Sequence, residues 1–307
     1  MLRYAFARIL GAIPTLLLVI AIAFLMVHAA PGGPFDSERV LPPDIKENIE
    51  RAYHLDETLP QQFYRYIKGV VRGDLGPSYR YRDFSVSELI AGAIPVTMRI
   101  GALAILLALI VGISAGLIAA LRRNTVLDRL VTGIAMIGIS VPVFVFAPLM
   151  VLVFAVTLKW LPASYTGSDG ADRLLLPVIA LAMPQIAFIA RLTRASLIDV
   201  MNSDYVRTAK AQGLKTLSIV RYHAFRPAML PLISYLGPAF AAVLTGSVVV
   251  EHVFGVPGVG RFLITASANR DYTLVLGITV FYAAMVVFLN LVVDLLYAFV
   301  DPRVRTR

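Results

Sequence analysis

The chain has 307 residues, of which 58% are hydrophobic and only 15% charged, against about 45 to 50% apolar and about 25% charged in a soluble domain, so a water-soluble globular protein is excluded. A mean hydropathy of +0.78 makes lipid the solvent to reason with, and organisation is then counted in spans. There is no cysteine, which removes disulfides, thiolate metal sites and a cysteine nucleophile, and the net charge of +9 has to be explained by where the charges lie.

Between charged residues the chain carries six uncharged runs, Ile9 to Phe35, Ile100 to Leu121, Leu130 to Leu158, Leu174 to Ala190, Pro227 to Val250 and Tyr272 to Val293. A hydrocarbon core of about 30 Å takes roughly 20 helical residues, so five runs suffice alone and the fourth, with 17 residues, does so if Arg173 and Arg191 snorkel outward. The predicted fold is therefore an all-α polytopic membrane protein with six transmembrane helices. Continuous rather than alternating apolar character excludes a β-barrel. Arg3 and Arg8 ahead of the first run imitate a secretory signal, but the apolar stretch exceeds the roughly 7 to 15 residues of a signal core, which predicts an uncleaved first helix over 1–30.

Residues 31–93 form one long loop domain with helical content. Pro42-Pro43 followed by Asp44 predicts a helix to Tyr53 with Ile45, Ile49 and Ala52 on one stripe, and a second helix is predicted from Pro60 to Val71. Gly73-Asp74-Leu75-Gly76-Pro77 breaks that helix, and an amphipathic piece from Ser85 to Gly92 leads to the second span. This loop domain suits a packed cap, a docking surface for an external partner, or both.

The transmembrane core, 94–307, holds the remaining spans. Pro142 and Pro148 in the third span, and Pro231, Gly237, Pro238 and Gly246 in the fifth, predict broken helices whose freed backbone groups face either neighbouring helices or a wet path. Pro142, Thr245, Ser247, Glu251 and Asp294 are the candidates for that path or its gate. After the fifth span, Phe254-Gly255-Val256-Pro257-Gly258-Val259-Gly260 predicts a re-entrant turn that dips back toward the membrane. It is no phosphate loop, because the Lys-Ser/Thr pair of a Walker motif does not follow.

Between the fourth and fifth spans, Arg191 to Arg226 predicts a helical loop. Ser203-Asp204 is placed to cap a helix over Tyr205 to Gln212, and Gly213 to end it in a left-handed conformation, with Leu214 beyond. With the N-terminus inside, the segments on the side of this loop hold fifteen Lys and Arg against four Asp, while the opposite side is nearly neutral. The positive-inside rule then puts both termini and the loop in the cytoplasm, and this topology accounts for the basic balance without nucleic acid. Ser247, His252 and Asp294 make no hydrolase triad, since the Asp and His fall at opposite membrane faces, and the four histidines are dispersed, so neither an enzyme nor a metal site is predicted. No filter signature or Arg-rich sensor helix suggests a channel.

Arg207-Thr208-Ala209-Lys210-Ala211-Gln212-Gly213, followed by His223-Ala224-Phe225-Arg226-Pro227, resembles the coupling loop of ATP-binding-cassette importer permeases in their peptide-transporter form. Pro14-Thr15, Ala30-Pro31-Gly32, Tyr53-His54-Leu55, Gly73 to Ser78, Thr245-Gly246-Ser247, Phe254 to Gly260, Asn269-Arg270-Asp271-Tyr272 and Asp301-Pro302-Arg303 extend the likeness over nearly the whole chain, toward the B-type permease subunits of bacterial oligopeptide importers. The general signature opens Glu-Ala-Ala where this chain has Arg207-Thr208-Ala209, so a glutamate role does not transfer. The resemblance implies a multi-pass inner-membrane subunit that binds no cofactor itself, with ATP bound by two cytoplasmic ATPase subunits. Its other implied partners are a homologous C-type permease, a periplasmic peptide-binding protein and peptide cargo within the lipid bilayer. It assigns ATPase coupling to Asp204, Tyr205, Arg207, Thr208, Ala209, Gln212, Gly213 and Leu214. The alternatives are a permease of this type for a related cargo, dipeptide, glutathione or nickel, and a secondary, proton-coupled peptide transporter, to which the runs apart from Asp294 offer almost no ionisable group.

Overall fold

The structure, a computed structural model, describes residues 2–30, 47–48, 51, 53–81, 83–165 and 170–300. The helix expected from Asp44 to Tyr53 and the closing Asp301-Pro302-Arg303 lie largely or wholly outside these residues. The described part is helical: α1 (Leu2–Ala29), α2 (Leu59–Val71), α3 (Val86–Leu121), α4 (Val126–Ser140), α5 (Val143–Met150) continuing as a π-helical stretch Val151–Thr157, α6 (Ala171–Met201), α7 (Asp204–Ala211), α8 (Thr216–Ile219), a π turn Val220–Ala224, α9 (Phe225–Val253), α10 (Val259–Ala268) and α11 (Tyr272–Val300).

Helix starts follow local chemistry. At α3, the Ser85 hydroxyl accepts from the Glu88 N–H at 3.2 Å while Glu88 reaches back to the Ser85 N–H at 2.8 Å, a reciprocal cap. The amphipathic piece expected before the second span is thereby fused with it into one helix of 36 residues, about 54 Å long at 1.5 Å per residue, so α3 projects beyond a 30 Å core.

Among the described residues, five helical segments are long and apolar enough to cross a membrane, or six if α4 and the α5 stretch count together. The third run is not a single straight span: its two halves are bent by 105°. The break sits at Val141, which is extended (φ −89°, ψ 116°) because the ring of Pro142 disfavours a helical preceding residue. The fifth run departs from expectation in the other direction. α9 continues through Pro231 and Pro238, as α6 does through Pro177 and Pro184, because packing on neighbouring helices holds each in line. α10, with 10 residues or about 15 Å, is too short to cross.

α6 is the centre. Leu176, Ile189 and Leu197 are fully buried on it, in one cluster with Ile100 of α3 and Val243 of α9. Gly112 and Gly116 let α3 approach closely: a Cβ on Gly116 would lie 2.5 Å from the Ala190 carbonyl, and one on Gly112 2.8 Å from Ile189. This Gly-x-x-x-Gly spacing is a signature of close helix packing in lipid, where small residues replace the hydrophobic drive. α1 is peripheral, exposing Leu10, Ile13, Leu17, Leu18 and Leu25. α11 packs between α1 and α9.

Candidate functional site

At one end of the bundle the chain between α6 and α9 forms a small structure of its own. Ser203 occupies the cap position of α7 with extended backbone (φ −71°, ψ 155°), but its hydroxyl donates back to the Val200 carbonyl at 2.6 Å and caps nothing. Asp204 is the first helical residue, fully exposed, and pairs with Arg207 at 3.2 Å. The expectation of a side-chain cap from Ser203-Asp204 is thus corrected: an acid in the first turn still favours the helix through the dipole, while the serine is spent joining α7 to α6. The other end closes as a Schellman motif. Gly213 has φ +82°, its N–H donates to the Lys210 carbonyl at 3.0 Å, and the Leu214 N–H donates to the Ala209 carbonyl at 3.2 Å.

The two faces of α7 divide cleanly. Val206 and Ala209 are buried with Ile219 of α8, against Met201 at the end of α6. Ala209 therefore serves the loop's own packing. Tyr205, Arg207, Thr208 and Gln212 are exposed, and Leu214, Leu217 and Tyr222 extend the uncovered surface. Leu217 is 74% and Tyr222 70% exposed. An isolated eight-residue helix is marginal, so its presence here rests on this small core and on the α6 attachment.

Ten residues before α7, Arg194 of α6 grips Asp128 of α4 in a two-pronged ion pair, Nε to Oδ1 at 2.5 Å and a terminal nitrogen to Oδ2 at 2.8 Å. Asp128 is 3% exposed and also accepts from the Asn124 N–H at 2.9 Å. Farther along the same helix pair, a Cβ on Gly138 would lie 3.0 Å from the Ala187 side chain. The loop-bearing helix is thus fastened to α4 from its end up to the 105° bend. The sequence analysis missed this pair, because 66 positions separate its members.

The opposite end explains two sequence motifs. Glu251, fully buried, accepts from the Gly260 N–H at 2.6 Å and the Arg261 N–H at 3.3 Å, and the Val259 N–H donates to Thr97 at 2.9 Å. Together they satisfy the first-turn amides of α10. Gly258 and Gly260 are required by proximity, since a Cβ on Gly258 would lie 2.4 Å from the Glu251 carboxyl and one on Gly260 2.4 Å from Val248. Gly255 (φ +66°) makes the turn that Phe254 and Pro257 flank, with Phe254 buried. Asp271, also fully buried, heads α11 through the Leu274 N–H at 3.2 Å and binds the loop after α2 through the Ser78 hydroxyl at 2.5 Å and the Tyr79 N–H at 3.2 Å.

The five candidates for a path or gate do not converge. Ser247 is buried beside Glu251, its hydroxyl donating to the Leu244 carbonyl at 2.7 Å. Thr245 is exposed elsewhere on α9, bonded to the Ala241 carbonyl at 3.0 Å. Pro142 is exposed at the α4–α5 bend, and Asp294 is half-buried and engaged on α11. Glu251 braces α10 with one carboxylate oxygen while its other oxygen is buried without a hydrogen-bond partner among the described residues, and Ser247 bonds within its own helix.

Residues 112–306 match the family described as binding-protein-dependent transport system inner membrane component, and residues 1–100 match its N-terminal membrane component. The chain belongs to this family. It is 47% identical to the oligopeptide transport system permease protein OppB of Salmonella typhimurium, over 99% of this chain and all of that one. Identity is 40% to the dipeptide permease DppB of Bacillus subtilis, over 99% of this chain and 98% of that one, and 39% to the glutathione permease GsiC of Escherichia coli, over 99% of each. Among solved structures, the inward-facing MetNI methionine ABC transporter shares the fold with a TM-score of 0.57 at 17% identity, covering 69% of this chain and 96% of that one. An amino acid ABC transporter does so at 0.51 and 20%, covering 69% and 94%. As a member of this family, the permease is a multi-pass component of the inner membrane.

Proposed function

We propose that the permease is the B-type subunit of an ATP-binding-cassette importer for oligopeptides, working beside a homologous C-type permease, two cytoplasmic ATPase subunits and a periplasmic peptide-binding protein. Full-length identity of 47% to an oligopeptide permease, against 40% and 39% to dipeptide and glutathione permeases, supports the cargo class. The single observation carrying the mechanism is the exposed, doubly terminated helix α7 on a loop welded to the most buried helix of the bundle. A cytoplasmic partner that grips Tyr205, Arg207, Thr208 and Gln212 pulls on α6 directly, and through Arg194 and Asp128 on α4. The surplus of basic residues on this side supports a cytoplasmic loop and cytoplasmic termini. ATP hydrolysis belongs to the partners, in keeping with a sequence that has no Walker tetrad, and the chain itself takes no cofactor. The residues 31–93 domain faces the periplasm in this arrangement.

The test is reconstituted uptake of labelled peptides two to six residues long by the assembled complex, with ATP inside and binding protein outside. ATP-dependent uptake of peptides longer than two residues is expected. Uptake that needs a proton gradient and proceeds without ATP overturns the reading, and uptake confined to dipeptides overturns the cargo assignment.

A further inference from the structure

A cavity of about 350 Å³ lies at the end of the bundle away from α7, between the last turns of α1, helix α2 and the start of α11. Nothing in the coupling mechanism uses it, yet three sequence motifs meet there: the Tyr53 turn, the Gly73 to Ser78 loop and Tyr272 at the head of α11. Its frame is built in. Asp271 ties the loop to α11, the Thr273 hydroxyl donates to the Pro77 carbonyl at 2.6 Å, and the Ser87 hydroxyl donates to the Gly73 carbonyl at 2.8 Å. α2 turns Gln62, Arg65, Tyr66 and Gly69 toward the cavity, a spacing of one helical face.

Most polar groups in the wall are spoken for. The Gln62 amide donates to the carbonyls of Leu55 at 3.2 Å and Glu57 at 2.8 Å and its oxygen faces His28 at 3.1 Å, while Arg65 is ion-paired with Glu57. Two groups are left over. The Asp74 carboxyl, exposed at the rim, accepts from the Gly76 N–H at 2.9 Å and meets no cation among the described residues, and the Tyr66 hydroxyl is enclosed with no hydrogen-bond partner among them. Five aromatic rings, Phe24, Tyr53, Tyr66, Tyr79 and Tyr272, complete the lining. A carboxylate without a counter-ion, an unsatisfied hydroxyl and ring faces with negative quadrupoles all favour a cation that can donate hydrogen bonds. An anion would meet Asp74 and the ring faces, and a purely apolar group would leave the enclosed Tyr66 hydroxyl unmatched.

We propose that this cavity is a binding site for a primary ammonium group. Its place beside the exposed apolar flank of α1, at the end of the bundle proposed as periplasmic, gives two sources, the amino terminus of a peptide and the headgroup of an ethanolamine lipid. The assignment of sources rests on the orientation proposed above; the chemistry of the site does not.

The assembled permease complex in phosphatidylglycerol nanodiscs is titrated calorimetrically with tetra-alanine, free or N-acetylated. In a second arm, complexes extracted from bilayers holding equal phosphatidylethanolamine and its N-acetylated form are weighed for the lipid they retain. In one arm the free amine is expected to win by about tenfold, the worth of one lost charge-assisted hydrogen bond, and that arm names the source. Asp74→Asn, which keeps the oxygen that receives the Gly76 N–H, should erase the preference, and Tyr66→Phe should reduce it. Equal behaviour of free and acetylated forms in both arms with the unmodified complex overturns the proposal, as does an amine preference that Asp74→Asn leaves intact. Nanodiscs expose both faces, so an inverted orientation of the chain would not alter either result.

Discussion

Asp128 and Arg194 are the residues whose loss the bundle should feel most sharply at its α7 end. The carboxylate is buried and the guanidinium side chain 28% exposed, so the pair is neither a solvent-screened surface contact nor a fully desolvated one. Removing one partner leaves the other without compensation. Asp128→Ala is expected to cost about 2 to 3 kcal/mol, and the double variant with Arg194→Gln distinctly less than the sum of the singles. Thermal unfolding of the detergent-purified complex measures both, and strictly additive losses would show the pair to be incidental. The glycines of α10 make a second residue-scale case. Gly260→Ala forces a methyl against Val248 and the Glu251 carboxyl, whereas Gly133→Ala meets nothing within 4 Å and adds helix propensity. The first should lower the melting temperature of the complex by several degrees and the second leave it level or raised.

Among the elements, α7 is where a small backbone change should separate two activities. Gly213 holds a positive φ and both bonds of the helix terminus run through it and Leu214, so Gly213→Val strains the turn by about 1 kcal/mol or more without touching a span. Membrane levels and ATPase-subunit co-purification should stay near normal while peptide uptake per ATP hydrolysed falls severalfold. An unchanged ratio would remove the loop's rigidity from the mechanism. Ala209 is a poor probe of the docking contact because it is 5% exposed and packs inside the loop. Leu217→Asp, on the open surface, tests docking directly and is expected to reduce co-purification.

The whole molecule makes one prediction about sidedness. With no native cysteine, single thiols report orientation, and the structure selects the sites. Val71 is 82% exposed and Lys210 is exposed on α7, whereas Ser78 is buried against Asp271 and would stay silent on either side. In intact cells Val71→Cys should react with an impermeant maleimide and Lys210→Cys should not; the reverse pattern inverts the proposed topology. The amino-acid sequence alone determined that lipid surrounds the chain, where the apolar runs lie and how α7 ends, because hydropathy over some twenty residues and a glycine after a helix act on their immediate neighbours. Tertiary structure decided the rest. Proline breaks the chain at Pro142 and not at Pro231 or Pro238, although the local chemistry is alike, since only the packing around each helix settles whether the lost backbone bond can be borne. Glu251 holds the first-turn amides of α10 with one carboxylate oxygen, and Asp128 finds Arg194 across 66 positions, for the same reason. What a buried charged or polar group meets is set by whatever the fold brings beside it, and that neighbour is a property of helix arrangement that no stretch of sequence encodes by itself.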